Sequence, residues 1–166
     1  MHQAEPDNTD PPKALAAALG RVPSGLFIVT VRHGRSETGM LASWVQQCSF
    51  EPPQLTLAVN RERPILAWLA AGTPFTVNVL AEGQKQLIAH FGKGFALGEP
   101  AFEGVDVLRP IDGAPALAAA LAYLDCRVTA LVPAGDHVLI IGLAVAGRVL
   151  SEGRPTVHVR KNGLHY

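Results

Sequence analysis

Charge of one sign, long apolar runs and cysteine pairs are all missing from this chain. Lys plus Arg and Asp plus Glu number 14 each in 166 residues, so the formal net charge is zero. A protein that grips nucleic acid needs a broad basic field; none is available, and nucleic acid is not expected as a partner. The longest apolar run, Val138 to Gly147, falls short of the roughly 18 residues a membrane-spanning helix requires, so no membrane partner is expected either. Residues 1–10 are polar and acidic and lack the basic and apolar regions of a secretory signal. They read as part of a disordered lead over residues 1–12, with one domain over residues 13–166 and a cytoplasmic location. Cys48 and Cys126 belong to no Cys-x-x-Cys pair, and no His-x-x-x-His pair exists. Free thiols are the reading, and no metal site is expected.

Several catalytic signatures are absent as well. There is no Gly-x-Ser-x-Gly elbow, no Gly-x-x-x-x-Gly-Lys-Ser/Thr loop, and no Gly-x-Gly-x-x-Gly after a strand. These absences leave serine hydrolases, P-loop enzymes and Rossmann nucleotide sites without support. What the chain does have is apolar residues, 48% of the total, enough to build a core without disulfides or metals. A chain so apolar and without net charge is poorly protected against association, so an oligomer is expected.

Turn residues and periodicity divide the chain into short elements. Pro11 and Pro12 open a helix that runs to about Gly20, since proline is tolerated where the first helical amides lack partners. Gly25 to Arg32 is β-rich and leads through His33-Gly34 into a second strand. That strand, Thr38 to Pro53, reads as one element ending at a double proline. Gln54 to Asn60 alternates at period two. Arg63 to Ala71 reads as a short helix, Pro74 to Ala81 as a strand, and Gln84 to Phe91 as a helix with Leu87, Ile88 and Phe91 on one face. Gly92 to Pro110 is a loop and Ala116 to Leu121 at most a short helix. Ala122 to Val132, His137 to Val149 and Thr156 to Arg160 are strands. Roughly six strands with short helices between them predict a small closed sheet, which removes exposed edges. A six-stranded barrel is too narrow to hold a large ligand, so a flat cofactor would lie on its outer wall, covered by a second subunit.

The Thr38 to Pro53 stretch is the most informative. Gly39, Ala42, Ser43 and Ser49 sit among Met40, Leu41, Trp44, Val45 and Phe50. Removing bulk from a strand lets a flat ligand approach its backbone. Ser43, Trp44, Gln46 and Ser49 are candidates for a polar ring edge, though strand alternation prevents all four from facing it. Asn60-Arg61-Glu62-Arg63-Pro64 follows a strand and opens a helix, where free amides and Arg61 and Arg63 could hold a phosphate; a solvated charged turn is the alternative. Asn78 interrupts an apolar strand, and a buried amide must find partners, either backbone or ligand. His137 follows Gly135-Asp136 at a turn and is either structural or part of a second ligand's site. The tail from Val157 to Tyr166 is rich in His, basic and aromatic groups, and reads either as a frayed end or as a polar wall facing a negative dinucleotide.

These segments together resemble the flavin reductase-like, FMN-binding split-barrel family. The likeness runs from about Leu19 to Tyr166. It rests on Gly25 to Thr30, Thr38 to Pro53, Phe75 to Leu80, His90-Phe91, Ala122 to Cys126 and Gly135-Asp136-His137. It is strongest to the C-terminal flavin reductase module of flavodiiron proteins; the module is expected to stand alone here, without the metallo-β-lactamase-like and flavodoxin domains, so oxygen reduction is not implied. The resemblance implies a mainly β fold, a six-stranded Greek-key split β-barrel with short helices between strands. It implies a homodimer with FMN near the subunit interface, reduced by NADH or NADPH. The cofactor-binding residues it implies are Leu41, Ala42, Ser43, Trp44, Cys48, Ser49, Phe50, Asn60, Arg61, Arg63, Pro64, Asn78 and Phe91, with His137 near the nicotinamide as the catalytic candidate. The expected activity is NAD(P)H:flavin oxidoreduction, which could feed a partner such as a flavin-dependent monooxygenase. The alternative is a non-catalytic FMN-binding electron carrier.

Overall fold

In the computed structural model, described over residues 10–110 and 113–165, the chain is mainly β. Helix α1 spans Pro11–Gly20, with proline at its start as expected. Seven strands then form one antiparallel sheet: β1 Phe27–His33, β2 Ser36–Ala42, β3 Val45–Phe50, β4 Pro53–Asn60, β5 Pro74–Val79, β6 Ala122–Ala134 and β7 His137–Val149. Their order across the sheet is β2-β1-β5-β6-β7-β4-β3. A 3₁₀ helix, Pro64–Trp68, follows β4, and helix α2, Lys85–Gly92, follows β5.

The strand read as Thr38 to Pro53 is two strands. They lie at opposite ends of the sheet, joined only by Ser43 and Trp44. This is why the sheet has seven strands and not six. It also dictates the sheet's shape. Six strand spacings laid flat would separate β2 from β3 by about 29 Å, whereas the chain from Ala42 to Val45 reaches at most roughly 11 Å. The sheet must curl until its two edges meet at this corner. The Ala58 N–H donates to the Trp44 carbonyl at 3.0 Å and ties the corner to β4. No ladder joins β2 to β3 among the described residues, so the predicted closure of the sheet is not seen as a continuous hydrogen-bonded barrel.

The core records the same curl. Val29 and Val31 of β1, Met40 and Ala42 of β2, Leu55, Leu57 and Val59 of β4, and Phe75 and Val77 of β5 share one buried cluster with Cys126, Val128 and Ile140 of β6 and β7. Six strands therefore turn one face onto a common centre, and Ile65 of the 3₁₀ helix and Leu69 just after it join it. The period-two pattern of Gln54 to Asn60 reflects this, with Leu55, Leu57 and Val59 buried in alternation. On the outer face α2 lays Phe91 over β2. A Cβ on Gly39 would stand 2.6 Å from the Phe91 ring, so only glycine lets the helix sit this close.

A buried polar row explains the segment read as a helix over Ala116 to Leu121. Residues Ala116–Leu117 form a two-residue strand paired with Val107–Leu108. Thr30 Oγ1 donates to the Pro115 carbonyl at 2.6 Å, and Thr76 Oγ1 to the Ala114 carbonyl at 3.1 Å. Asn78 Nδ2 donates to the Ile28 carbonyl at 2.9 Å while its Oδ1 accepts the Leu117 N–H at 2.7 Å. These bonds hold the segment extended against the sheet. Thr156 to Arg160 shrinks likewise to Val157–His158, paired with Ser24–Gly25 outside the main sheet.

Cys48 is exposed and Cys126 buried. Burial, reinforced by Asp125, pushes the Cys126 thiol up to about 12. One thiol per folded chain should therefore react with an alkylating reagent at neutral pH, and two after denaturation. Because the folded pKa lies above the ordinary thiol value, the unfolded chain loses this proton first as pH rises. Stability should fall by up to about 1.4 kcal/mol per pH unit above roughly 8.5, and Cys126→Ala should flatten that slope in alkaline denaturation curves.

Candidate functional site

The corner where the sheet edges meet opens into a cleft of about 680 Å³. That volume lies within the range of small-molecule and cofactor sites. Its floor comes from the end of β2 and the corner (Met40, Leu41, Ala42, Ser43) and from the end of β4 (Ala58, Val59, Asn60). Ile88, Phe91 and Gly92 of α2 form one side. Arg63 stands at the start of the 3₁₀ helix. The opposite wall is the C-terminal segment, through His158, Val159, Arg160, Lys161, Asn162 and His165.

Two features set this cleft apart. The first is charge. The whole chain balances its basic and acidic side chains, yet the lining holds Arg63, Arg160 and Lys161 and no Asp or Glu. Such a local excess favours an anionic ligand. The second is Ser43. The residue is 7% exposed, and its Oγ is buried with no hydrogen-bond partner in the protein. An unpaired buried hydroxyl costs about 1–3 kcal/mol. Thr30, Thr76 and Asn78 are fully buried and all are bonded. Among the described residues Ser43 Oγ is the buried side-chain polar atom without a hydrogen-bond partner, and Ser43 lines the cleft.

The structure gathers Leu41, Ala42, Ser43, Asn60, Arg63 and Phe91 around this space. The other sequence candidates lie outside the lining. Cys48, Ser49 and Phe50 belong to edge strand β3, with Phe50 88% exposed. Arg61 and Pro64 are on the exposed turn that Asn60 shapes by accepting the Glu62 N–H at 2.9 Å. Asn78 is committed to backbone at both ends of its amide. His137 is buried, and its Nδ1 lies 2.7 Å from Asp136 Oδ1. This hydrogen bond holds the Asp136 carboxyl below the usual carboxylate range. A carboxylate only accepts, so the imidazole proton sits on Nδ1. The His137 ring packs on Trp44 at 4.9 Å, and the Arg160 guanidinium lies 4.9 Å over the same indole. Trp44 and His137 thereby back the cleft wall through Arg160.

Sequence reasoning passed over Met40, Ala58, Val59, Ile88 and Gly92. For Ile88 a signal existed, since it shares a helix face with Phe91. Among the described residues no group of three or more His, Cys, Asp or Glu could hold a metal ion, and no helix is long and apolar enough to cross a membrane.

Fold and cleft together define a small antiparallel β protein with a cation-lined, apolar-floored site at the seam of its curled sheet. The chain belongs to the flavin reductase-like family: residues 19–163 match the flavin reductase like domain. It is 42% identical over 154 residues to diflavin flavoprotein A 1 of Synechocystis sp., a match covering 92% of this chain and 27% of that protein. The chain spans about a quarter of the length of the curated relatives it matches. Among solved structures it resembles the NADH:FAD oxidoreductase SgcE6 of Streptomyces globisporus C-1027, with a TM-score of 0.80 and 27% identity, over 95% of this chain and 93% of that one. A further structure of that enzyme is in complex with NAD and FAD fragments. BorF, the flavin reductase component of a bacterial two-component tryptophan halogenase, matches with a TM-score of 0.77 and 25% identity, over 89% of this chain and 92% of its own.

Replacing Ser43 by Ala removes the unpaired hydroxyl. Thermal denaturation of the ligand-free protein should show Ser43→Ala more stable than the parent, by about 1–3 kcal/mol; an unchanged or lower midpoint would mean that the hydroxyl is already satisfied.

Proposed function

We propose that the protein is an NAD(P)H-dependent flavin reductase that binds FMN in the corner cleft. The observation that carries this reading is a cleft whose apolar lining holds Ser43 and Asn60 together with three cations and no carboxylate. A flavin mononucleotide needs those three things together: a flat apolar bed, hydrogen-bond partners at its polar edge, and positive charge for its phosphate. When bound, it supplies the ring that takes a hydride from a reduced nicotinamide.

The chain's own residues have the remaining work. Leu41, Ala42, Ile88 and Phe91 provide the apolar bed and exclude water. Asn60 and the main chain at Ser43 offer polar groups to the ring edge. Arg63 offers a charge-assisted contact to phosphate. Holding two flat reactants face to face contributes about 7–11 kcal/mol without any acid or base, which agrees with the lack of a titratable side chain at the floor of the cleft. His137 serves by fixing Trp44 and so the wall behind Arg160. The protein is a homodimer in this reading. Leu131 and Val132 of β6 and Val145 and Val149 of β7 are between 41% and 74% exposed, and a second copy would cover them. It works in the cytoplasm and passes reduced flavin to an acceptor such as a monooxygenase.

Purified protein incubated with FMN should turn yellow and quench flavin fluorescence, and should then consume NADH or NADPH as followed by loss of the reduced nicotinamide's near-ultraviolet absorbance. Arg63→Gln should weaken FMN binding by about tenfold, the loss of one charge-assisted contact to phosphate, and leave riboflavin binding within twofold. Flavin bound without any nicotinamide consumption would replace this reading with the electron carrier.

A further inference from the structure

One wall of the cleft, formed by Ile88, Phe91 and Gly92, is carried by α2. Where that wall stands depends on what holds the helix from behind. Residues 93–106 follow α2 and contain neither helix nor strand. So long an irregular segment needs contacts of its own to keep one course. Short-range bonds shape it: the Ala96 N–H donates to Glu99 Oε2 at 2.7 Å, and the Val105 N–H to the Phe102 carbonyl at 3.0 Å. Its tie to α2 is His90, whose Nε2 lies 2.8 Å from the Ala101 carbonyl. A carbonyl only accepts, so the imidazole proton is on Nε2. Ala101 is buried, and a buried carbonyl needs such a partner.

Phe91, the next residue along the helix, is supported by two elements. It fills the space that Gly39 leaves on β2. It also meets the rings of Phe95 at 5.9 Å and Phe102 at 5.8 Å. Both belong to the segment that His90 pins. The His90 ring itself meets Phe91 edge-on at 4.8 Å and Phe95 at 5.2 Å. Without the bond to Ala101 both phenylalanine rings are free to shift, and a close-packed wall transmits that displacement to Phe91.

We propose that His90 is a positioning residue for the flavin ring: by fastening residues 95–102 behind Phe91, it sets the α2 wall against which the ring lies. This rests on the flavin reductase reading. His90 does not line the cleft, whereas Phe91 does, so the effect passes through Phe91 and concerns the ring, leaving the phosphate to Arg63.

The test compares His90→Leu, which removes the donor, with His90→Gln, whose amide nitrogen reaches the place of Nε2. His90→Asn, whose amide falls short of Ala101, stands in for the leucine variant if that one does not fold. Dissociation constants for FMN and for riboflavin, which lacks the phosphate, are measured by fluorescence quenching on protein shown to be folded by circular dichroism. His90→Leu should weaken both flavins by about tenfold, the loss of one buried hydrogen bond, and His90→Gln should stay within twofold of the parent. In a Phe91→Leu background the further effect of His90→Leu should shrink to within twofold, because the two act as one unit. A merely structural histidine would lower the melting temperature and leave the affinity of the folded protein unchanged. The proposal is overturned if both flavins stay within twofold in His90→Leu, if His90→Gln loses as much as His90→Leu, if FMN alone is weakened, or if the two losses add in the double variant. A parent protein that binds neither flavin overturns the flavin reading itself, and this role with it.

Discussion

Two residues, Ser43 and Trp44, join strands at opposite edges of a seven-stranded sheet. So short a bridge cannot cross a flat sheet, and the need to close the chain at this point bends the whole structure. The curl brings the inner faces of six strands around one core. It also leaves a seam where β2 and β4 end together, and the cleft occupies that seam. Core and site thus follow from one geometric requirement. The site's most telling atom, Ser43 Oγ, belongs to the bridge itself.

The buried polar groups fall into two kinds, and the distinction separates structure from function. Thr30, Thr76 and Asn78 form a row on the outer face of β1 and β5 and are fully engaged with the segment at 114–117. They fasten a stretch of backbone that would otherwise need other partners. Ser43 Oγ is buried too, but it bonds to none of the described residues.

The cleft is also where the two ends of the chain meet. Helix α1 contributes no residue to the lining, yet its Ala16 and Gly20 carbonyls hold the tail that does. Behind the tail, Asp136, His137, Trp44 and Arg160 form a continuous series of contacts that links the β6–β7 turn to the wall. A basic side chain at the cleft is thereby supported from elements far apart in sequence.

Local chemistry wrote much of this into the sequence. The proline-led α1, the alternation of β4, the helical face of α2, and the small residues of the Thr38 to Pro53 stretch were all legible, because each depends on neighbours a few positions away. Ser43, Asn60 and Arg63, singled out by residue type, all line the cleft. The family likeness could be read from the same segments. Tertiary structure decided the rest. Periodicity continues through Ser43 and Trp44 without a break, so one strand could not be told from two. Only the long-range pairing of β3 with β4 and of β2 with β1 shows the corner. Asn78 had two possible fates by sequence, and the approach of Leu117 settled it. The excess of positive charge in the cleft is invisible in a chain of zero net charge. It arises because folding carries Arg160 and Lys161 across the molecule to stand in the same space as Arg63, while every carboxylate among the described residues stays outside the lining.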